Sequence, residues 1–207
     1  MADRHYDDPC GIARALDLIG ERWALLVVRE LLFGPKRFTD LRAGLPTASQ
    51  NVLSHRLREL ERSGILTRRK LGPPASTWAY ELTERGYELR PVIIELAKWG
   101  SHAPTASTAH LSVAALMVAM LTTYSGGMAG RFELRVSGET FGAVVSGGHI
   151  DITPGRVEQP DAVIETDADT LRDIIFGGRP VTDEVVSGDK KSAVRLLRLF
   201  PRPAVIA

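Results

Sequence analysis

The chain has 207 residues, of which 44% are hydrophobic and 25% charged, with a formal net charge of +1. This composition is typical of a soluble globular protein, and the length predicts two domains of about 100 residues each or one large domain. The single cysteine, Cys10, excludes an intramolecular disulfide framework and a cysteine-rich zinc site. Residues 1–10 lack a secretory signal pattern, and the longest apolar stretch, residues 111–121, is too short to cross a bilayer, so we expect a cytoplasmic protein with no membrane partner.

Three helices are predicted at the start of the chain. The first runs from about residue 10 to residue 19 and is capped by Asp7 or Asp8, with its apolar residues on one face. The second, residues 22–33, is apolar on nearly every side and is therefore expected to be buried. The third is short and covers residues 38–45.

A fourth helix is predicted from its cap and from its apolar stripe. Thr47 followed by Gln50 matches the capping box, and Ser63-Gly64 supplies a left-handed end. One face of the helix is apolar, because leucines recur at positions i, i+4 and i+7, namely Leu53, Leu57 and Leu60. Such a helix can dock on a core and present its polar face to the major groove of DNA.

The basic residues of the chain are concentrated around this helix. The window from residue 36 to residue 70 carries nine basic and three acidic residues, a local charge of +6. The chain up to Gly100 has a charge of +3 and the remainder has −2, so only the first half is suited to bind a polyanion. The candidate contacts with phosphate or the minor groove are Lys36, Arg37, Arg56, Arg58, Arg68, Arg69 and Lys70.

The polar face of the fourth helix supplies the candidate base contacts. These are Ser49, Asn51, Ser54 and His55. Two interpretations of Gln50 are open, because its side-chain amide either closes the capping box or bonds to an adenine edge.

The residues that follow predict a wing and a last helix. Arg68 to Lys70 leads into a turn at Gly72-Pro73-Pro74, and residues 78–82 return as a second strand, which makes a basic hairpin. A helix from Thr83 to about residue 99 is expected to bend at Pro91. Its apolar side is either local core or a dimer contact, and we favour the dimer because helix-turn-helix proteins usually bind two half-sites. The residues on that side are Tyr87, Val92, Ile93, Leu96 and Trp99.

The motifs of this half resemble those of the HxlR-type winged-helix transcription regulators. The resemblance lies in CGIARALDLIGERWALLVVRELLFGPKRFTDLRAGLPTASQNVLSHRLRELERSGILTRR, followed by YELTERG and AKWG. It implies a homodimer that binds a pseudo-palindromic, double-stranded operator through two winged helix-turn-helix units. Some members sense oxidants through an N-terminal cysteine, which makes Cys10 a candidate redox switch. The alternative is a small packed thiol, and without a second cysteine only an intersubunit or mixed disulfide can form.

The second half of the chain changes its periodicity after a polar stretch at residues 101–108, which we interpret as a linker. A helix is expected over residues 111–124, and another begins after its cap residue Asp167. Four strands are predicted near residues 132–136, 141–145, 149–153 and 162–166, and further helical segments at residues 182–186 and 190–200. The predicted fold class is therefore α+β: a winged helix-turn-helix domain over residues 1–100, and over residues 109–207 a small, mostly antiparallel sheet packed by helices.

This half resembles a sterol-carrier-protein-like domain. The resemblance lies in GGHIDITPG, VIETDADTLRDIIFGGRPVTDEVVSGD and AVRLLRLFP. It implies a shell of sheet and helices with a possible apolar cavity for a hydrophobic small molecule. The candidate lining residues, which could equally be ordinary core, are Leu116, Met117, Met120, Phe132, Phe141 and Ile174.

Little in the sequence favours catalysis. The five histidines are scattered, with no pair at the spacing of a metal site, and the glycines at residues 126–130 do not form a dinucleotide fingerprint. We therefore expect no cofactor, no metal site and no enzymatic activity. The predicted function is that of a homodimeric transcriptional regulator, a repressor, whose C-terminal domain binds a hydrophobic effector. The alternatives are a thiol-based switch at Cys10 and a C-terminal domain that is only a structural or carrier module.

Overall fold

The computed structural model describes residues 5–72, 76–105, 107 and 109–205. The contacts between Cα atoms divide the chain into two compact units, Met1–Ile93 and Ile94–Ala207. The predicted turn at Pro73-Pro74 lies outside the described residues, as do residues 106 and 108 of the predicted linker. No helix within the described ranges is both long enough and apolar enough to span a membrane.

The first unit contains a helical cluster and a two-stranded hairpin. Its helices are α1 (Gly11–Ile19), α2 (Ala24–Leu31), α3 (Phe38–Gly44), α4 (Gln50–Arg62), α5 (Glu84–Tyr87) and the start of α6 (Leu89–Gly100). The hairpin is formed by the antiparallel strands β1 (Leu66–Lys70) and β2 (Trp78–Leu82). Helix α2 packs against α3, α4 and β2, and it is the centre of the core because Val27, Val28 and Leu31 are fully buried.

The cap of α1 differs from the prediction. Cys10 itself is the N-cap, with its Sγ accepting a hydrogen bond from the backbone N–H of Ala13 at 3.3 Å. Asp8 does not cap the helix itself. Its Oδ1 accepts a hydrogen bond from the backbone N–H of the cap residue Cys10 at 2.9 Å. Two residues of the predicted apolar face, Ile12 and Leu16, are exposed, whereas the third, Ile19, is buried, so only the end of that face belongs to the core of this unit.

Helix α2 begins at Ala24, two residues later than predicted. Its N-cap Trp23 has a φ of 78°, in the left-handed region that bulky side chains rarely occupy, and such a residue cannot continue a right-handed helix.

Helix α4 begins at Gln50, and the predicted Thr47 capping box is wrong. The cap is Ser49, whose Oγ accepts a hydrogen bond from the backbone N–H of Val52 at 3.4 Å. The predicted end is confirmed, because Gly64 has a φ of 70° directly after Ser63.

The predicted helix from Thr83 to residue 99 is divided into α5 and α6 at Glu88. Thr83 caps α5, with its Oγ1 accepting from the backbone N–H of Gly86 at 3.1 Å. Pro91 explains the division, because it cannot donate a hydrogen bond to the carbonyl of Tyr87. The expected bend therefore takes the form of a break three residues before the proline.

The second unit is built on a five-stranded sheet with the order β5-β4-β3-β6-β7. Its strands are β3 (Gly130–Val136), β4 (Glu139–Ser146), β5 (His149–Pro154), β6 (Ala162–Thr166) and β7 (Val186–Gly188). Among the strands that the structure describes here, only β3 and β6 pair in parallel, so the prediction of a mostly antiparallel sheet is confirmed. Three helices pack against it or one another: α7 (Val113–Thr123), α8 (Ala168–Phe176) and α9 (Lys190–Leu197).

The helix predicted over residues 182–186 is wrong. The backbone makes a single turn there, with the N–H of Val185 donating to the carbonyl of Thr182, and the chain then enters β7. Val186 pairs with Ile164 at the edge of the sheet, and that pairing satisfies more backbone groups than a five-residue helix could.

Candidate DNA-binding surface

Helix α4 is held by a buried leucine seam. Leu53, Leu57 and Leu60 are at most 1% exposed, as the spacing of the leucines predicted. The helix also contacts β1 and α2. A helix anchored along one side in this way keeps its opposite face in solvent, and that face includes Asn51 and His55. Gln50, the first residue of the helix, is exposed as well.

The four candidate base contacts differ in their exposure and in the hydrogen bonds that they already make. Asn51 is exposed, and Ser54 is half-buried. The Oγ of Ser49 is an acceptor for the helix cap, which leaves its O–H free to donate elsewhere. His55 is exposed, but its Nε2 lies 3.0 Å from Oε1 of Glu59, so a contact with DNA has to compete with that carboxylate.

The structure excludes one of the two interpretations of Gln50, the capping box. As the first residue of α4, it lies two positions before the one that closes a capping box on Ser49. Its side chain is exposed, and its Oε1 lies 3.5 Å from Nη1 of Arg42. The amide is therefore not occupied by the helix cap and can contact a base edge.

Arg56 is buried, although it lies on α4, and only 8% of it is exposed. Its Nε donates to the backbone carbonyl of Arg22 at 3.2 Å, and its Nη2 to the carboxylate of Glu21 at 3.3 Å, while Nη1 donates to Glu59. All three nitrogens of the guanidinium are thus engaged inside the protein. Arg56 joins α4 to the turn between α1 and α2, so its guanidinium is not free for a phosphate contact.

Lys36 is likewise turned inward. Its side chain is 12% exposed, and its Nζ lies 3.4 Å from Oε2 of Glu30, which is fully buried. Oε1 of the same carboxylate accepts from Nη2 of Arg29 at 2.6 Å. Because a buried carboxylate needs such partners, Lys36 stabilises the fold of this unit rather than a contact with DNA.

Two other basic candidates are exposed, one on α4 and one at the start of α3. Arg58 points outward, with its Nε donating to the backbone carbonyl of Ser54 at 3.2 Å. Arg37 lies in front of α3, where its backbone N–H donates to Oδ2 of Asp40 at 2.9 Å and its side chain is exposed. Arg42 and Arg62 are also exposed, although they were not among the predicted contacts. Their presence in the basic window was the available indication.

The hairpin of β1 and β2 is anchored at its outer edge. Lys36 and Tyr80 exchange backbone hydrogen bonds of 2.9 and 2.8 Å, so the segment before α3 pairs with β2. Arg68, Arg69 and Lys70 are all exposed on β1. Nε of Arg69 lies 2.7 Å from Oε2 of Glu81, which neutralises part of the charge on one face of the hairpin.

The remaining candidates lie outside this surface. Cys10 is an exposed free thiol. The six candidate ligand-lining residues are all buried in the second unit, an arrangement that fits a packed core and a lined cavity equally well: Leu116, Met117, Met120, Phe132, Phe141 and Ile174.

Comparisons with known proteins match the first half of the chain. The HxlR-like helix-turn-helix family model matches residues 18–107. The HTH-type transcriptional regulator YvaP of Bacillus subtilis is 39% identical over 88 residues, which are 42% of this chain and 82% of YvaP. The regulator YkvN of the same organism is 37% identical over 93 residues, 45% of this chain and 79% of YkvN.

Among solved structures, the redox regulator HypR in its oxidized form is 32% identical, covers 47% of this chain and 100% of its own, and has a TM-score of 0.44. The sequence matches to YvaP and YkvN cover most of each of those regulators, and the residues matched by the family model include the buried leucine seam and the hairpin. This chain therefore belongs to the HxlR-like helix-turn-helix family.

Proposed function

We propose that the protein is a sequence-specific DNA-binding transcriptional regulator, a repressor, with α4 in the major groove and the β1–β2 hairpin as its wing. The observation that carries the proposal is the division of α4 into a buried leucine seam and an exposed polar face, followed by an exposed basic hairpin. We assign the contacts with DNA bases to Ser49, Gln50, Asn51, Ser54 and His55. We assign the contacts with DNA phosphates or the minor groove to Arg37, Arg58, Arg68, Arg69 and Lys70.

The test is selection of DNA from a randomised duplex pool by the full-length protein, followed by fluorescence anisotropy of the enriched duplex. A regulator of this kind enriches one pseudo-palindromic motif and binds it at least 10³-fold more tightly than random duplex, in line with the roughly 10³–10⁷ range of specific binders. Recovery of a pool without any common motif would overturn the proposal.

We also propose a homodimer that forms through the apolar face of α6. Val92, Leu96 and Trp99 recur at the i, i+4 and i+7 spacing of one helical face, and each is exposed, with Trp99 reaching 78%. Large apolar side chains repeated on one face of a helix are typical of a protein–protein interface. A second copy is the expected partner, because a pseudo-palindromic operator presents two half-sites.

Leu96→Asp is the test of this interface. The charged variant is expected to elute and scatter light as a monomer at concentrations where the wild type is a dimer. Lys98→Asp is a matched control on the same helix, because Lys98 lies off the apolar face and pairs with the exposed Glu95. Equal molar masses for wild type and Leu96→Asp would exclude this face as the dimer contact.

A third proposal concerns the second unit, which we assign to binding of a hydrophobic effector. It is supported by the resemblance to sterol-carrier-protein-like domains and by the burial of all six candidate lining residues within one unit. Native mass spectrometry of freshly purified protein is expected to show a hydrophobic adduct that denaturation releases. A protein without an adduct, whose operator affinity no added hydrophobic ligand changes, would restrict the unit to a structural role.

Cys10 supports the alternative of a thiol switch, because its sulfur is exposed and can reach the thiol of another molecule. Under this alternative, an oxidant changes operator affinity in the wild type and leaves Cys10→Ser unaffected. An identical response of both proteins would remove Cys10 from regulation.

A further inference from the structure

The wing carries an exposed tryptophan that the contacts proposed above do not use. Half of Trp78 is exposed, on β2. The guanidinium carbon of Arg68, on the neighbouring strand, lies 4.7 Å from the centroid of the Trp78 ring. This distance is typical of a cation–π contact, in which the ring face attracts the guanidinium.

The register of the hairpin places the two side chains on one face. Arg68 pairs with Tyr80 and Lys70 pairs with Trp78, so Arg68 and Trp78 are diagonal neighbours. Side chains alternate between the faces of a strand, which puts Arg69 and Glu81 on the opposite face. The face with Trp78 therefore has two basic residues and no acid in its two outer pairs, whereas on the opposite face Arg69 is paired with Glu81 at 2.7 Å.

We propose that Trp78 is a positioning residue that holds Arg68 for insertion into the minor groove next to the half-site bound by α4. This inference rests on the proposed function and specifies the role of one wing residue. Stacking on the ring restricts the rotamers of a long side chain before DNA arrives, so less conformational entropy is lost on binding. A guanidinium that is held in one position is better suited to a contact in a narrow groove than to a contact with a phosphate. A phosphate can also be bound by a mobile lysine.

The reach of the hairpin agrees with this placement. A strand of five residues spans about 16 Å, more than the roughly 12 Å width of the major groove. A hairpin that starts beside a helix in that groove therefore extends to the adjacent backbone and minor groove. Arginine is attracted most strongly to narrow, A·T-rich minor grooves, so the sequence class predicted for this contact is a short A·T run flanking the half-site.

The experiment is a double-mutant cycle on the full-length protein, with the duplex selected from the random pool as the probe. Trp78→Leu keeps apolar bulk but removes the π face, Arg68→Ala removes the cation, and Trp78→Phe is the conservative variant. For a dimer with two wings, Trp78→Leu is expected to weaken binding about 5- to 30-fold, and Trp78→Phe is expected to restore most of it. In the Arg68→Ala background, Trp78→Leu is expected to have no further effect.

A second readout tests the groove. Flanking A·T pairs are replaced by G·C pairs, which add an amino group to the minor groove, or by inosine·cytosine pairs, which lack that group. The G·C duplex is expected to weaken wild-type binding and the inosine duplex to recover it, with both differences absent in Trp78→Leu. Thr67→Ala serves as the control, because Thr67 is exposed on the opposite face of β1, outside the proposed contacts, so this variant is expected to retain the flank preference.

The two outcomes that overturn the inference are additive effects of the two substitutions and a flank preference that Trp78→Leu retains. Either result, with motif selection and the contribution of Arg58 intact, leaves the proposed regulator in place and removes only the role of Trp78. If no variant changes binding and no motif is enriched, the proposed function itself fails.

Discussion

Arg56 and Arg58 lie two residues apart on α4, and the structure predicts opposite consequences for their loss. Arg56→Ala removes a buried side chain together with its bonds to the carbonyl of Arg22 and to two partly exposed carboxylates. The two carboxylates are hydrated again in the variant, so the loss of each ion pair lowers the free energy of unfolding by at most about 0.5 kcal/mol. The carbonyl bond contributes about 1 kcal/mol and the lost aliphatic packing about 1–2 kcal/mol.

The expected cost of Arg56→Ala is therefore about 3 kcal/mol, which lowers the thermal midpoint by roughly 10 °C. Arg58→Ala removes an exposed side chain and is expected to change stability by less than about 0.5 kcal/mol. Its effect appears in DNA binding instead. Losing one phosphate contact reduces the slope of log K against log salt by about 0.9 per copy, or about 1.8 for a dimer.

Two assays separate these effects: urea or thermal unfolding of the free protein, and anisotropy of the selected duplex at several salt concentrations. DNA binding is measured at least 20 °C below the midpoint of each variant, so that unfolding does not contribute. The reasoning would be refuted by an Arg56→Ala protein of wild-type stability with a reduced salt slope, or by an Arg58→Ala protein with an unchanged slope.

Two further predictions concern stability. A Cβ on Gly44 would lie 2.7 Å from Cδ of Glu30, whose carboxylate is buried and ion-paired, so Gly44→Ala is expected to cost about 2 kcal/mol in urea unfolding. Gly11→Ala, with open space around it, is expected to cost far less, and equal costs would contradict the steric argument. Hydrogen bonds from the backbone N–H and hydroxyl of Thr170 lower the pKa of Asp167 below its ordinary 3.8, so the cap's stabilisation is complete well above pH 3.8 and disappears as the pH falls through the lowered pKa. Asp167→Asn is expected to flatten the acid limb of the stability profile, and an unaltered limb would rule this cap out as its source.

The local sequence pattern was sufficient to predict several helices and strands of this protein. The i, i+4, i+7 leucines of α4 are buried where their spacing placed them, and the alternating residues of β3 form a central strand of the second sheet. Such features depend on neighbours in the chain, because helix and strand periodicity alone decides which side chains share a face. The end of α4 at Ser63-Gly64 is of the same kind, since a residue with positive φ is most easily a glycine.

Only the tertiary structure decided which cations are available for DNA. Arg56 and Arg58 look alike in sequence, yet one bonds to residues 34 and 35 positions earlier in the chain and the other points into solvent. Lys36 is turned inward by Glu30, which is buried because α2 is at the centre of the core. Trp78 meets Arg68 only when the two strands pair in the observed register. A charge is visible in the sequence, but its partner is set by long-range packing, and the partner decides whether that charge stabilises the fold or remains available to a ligand.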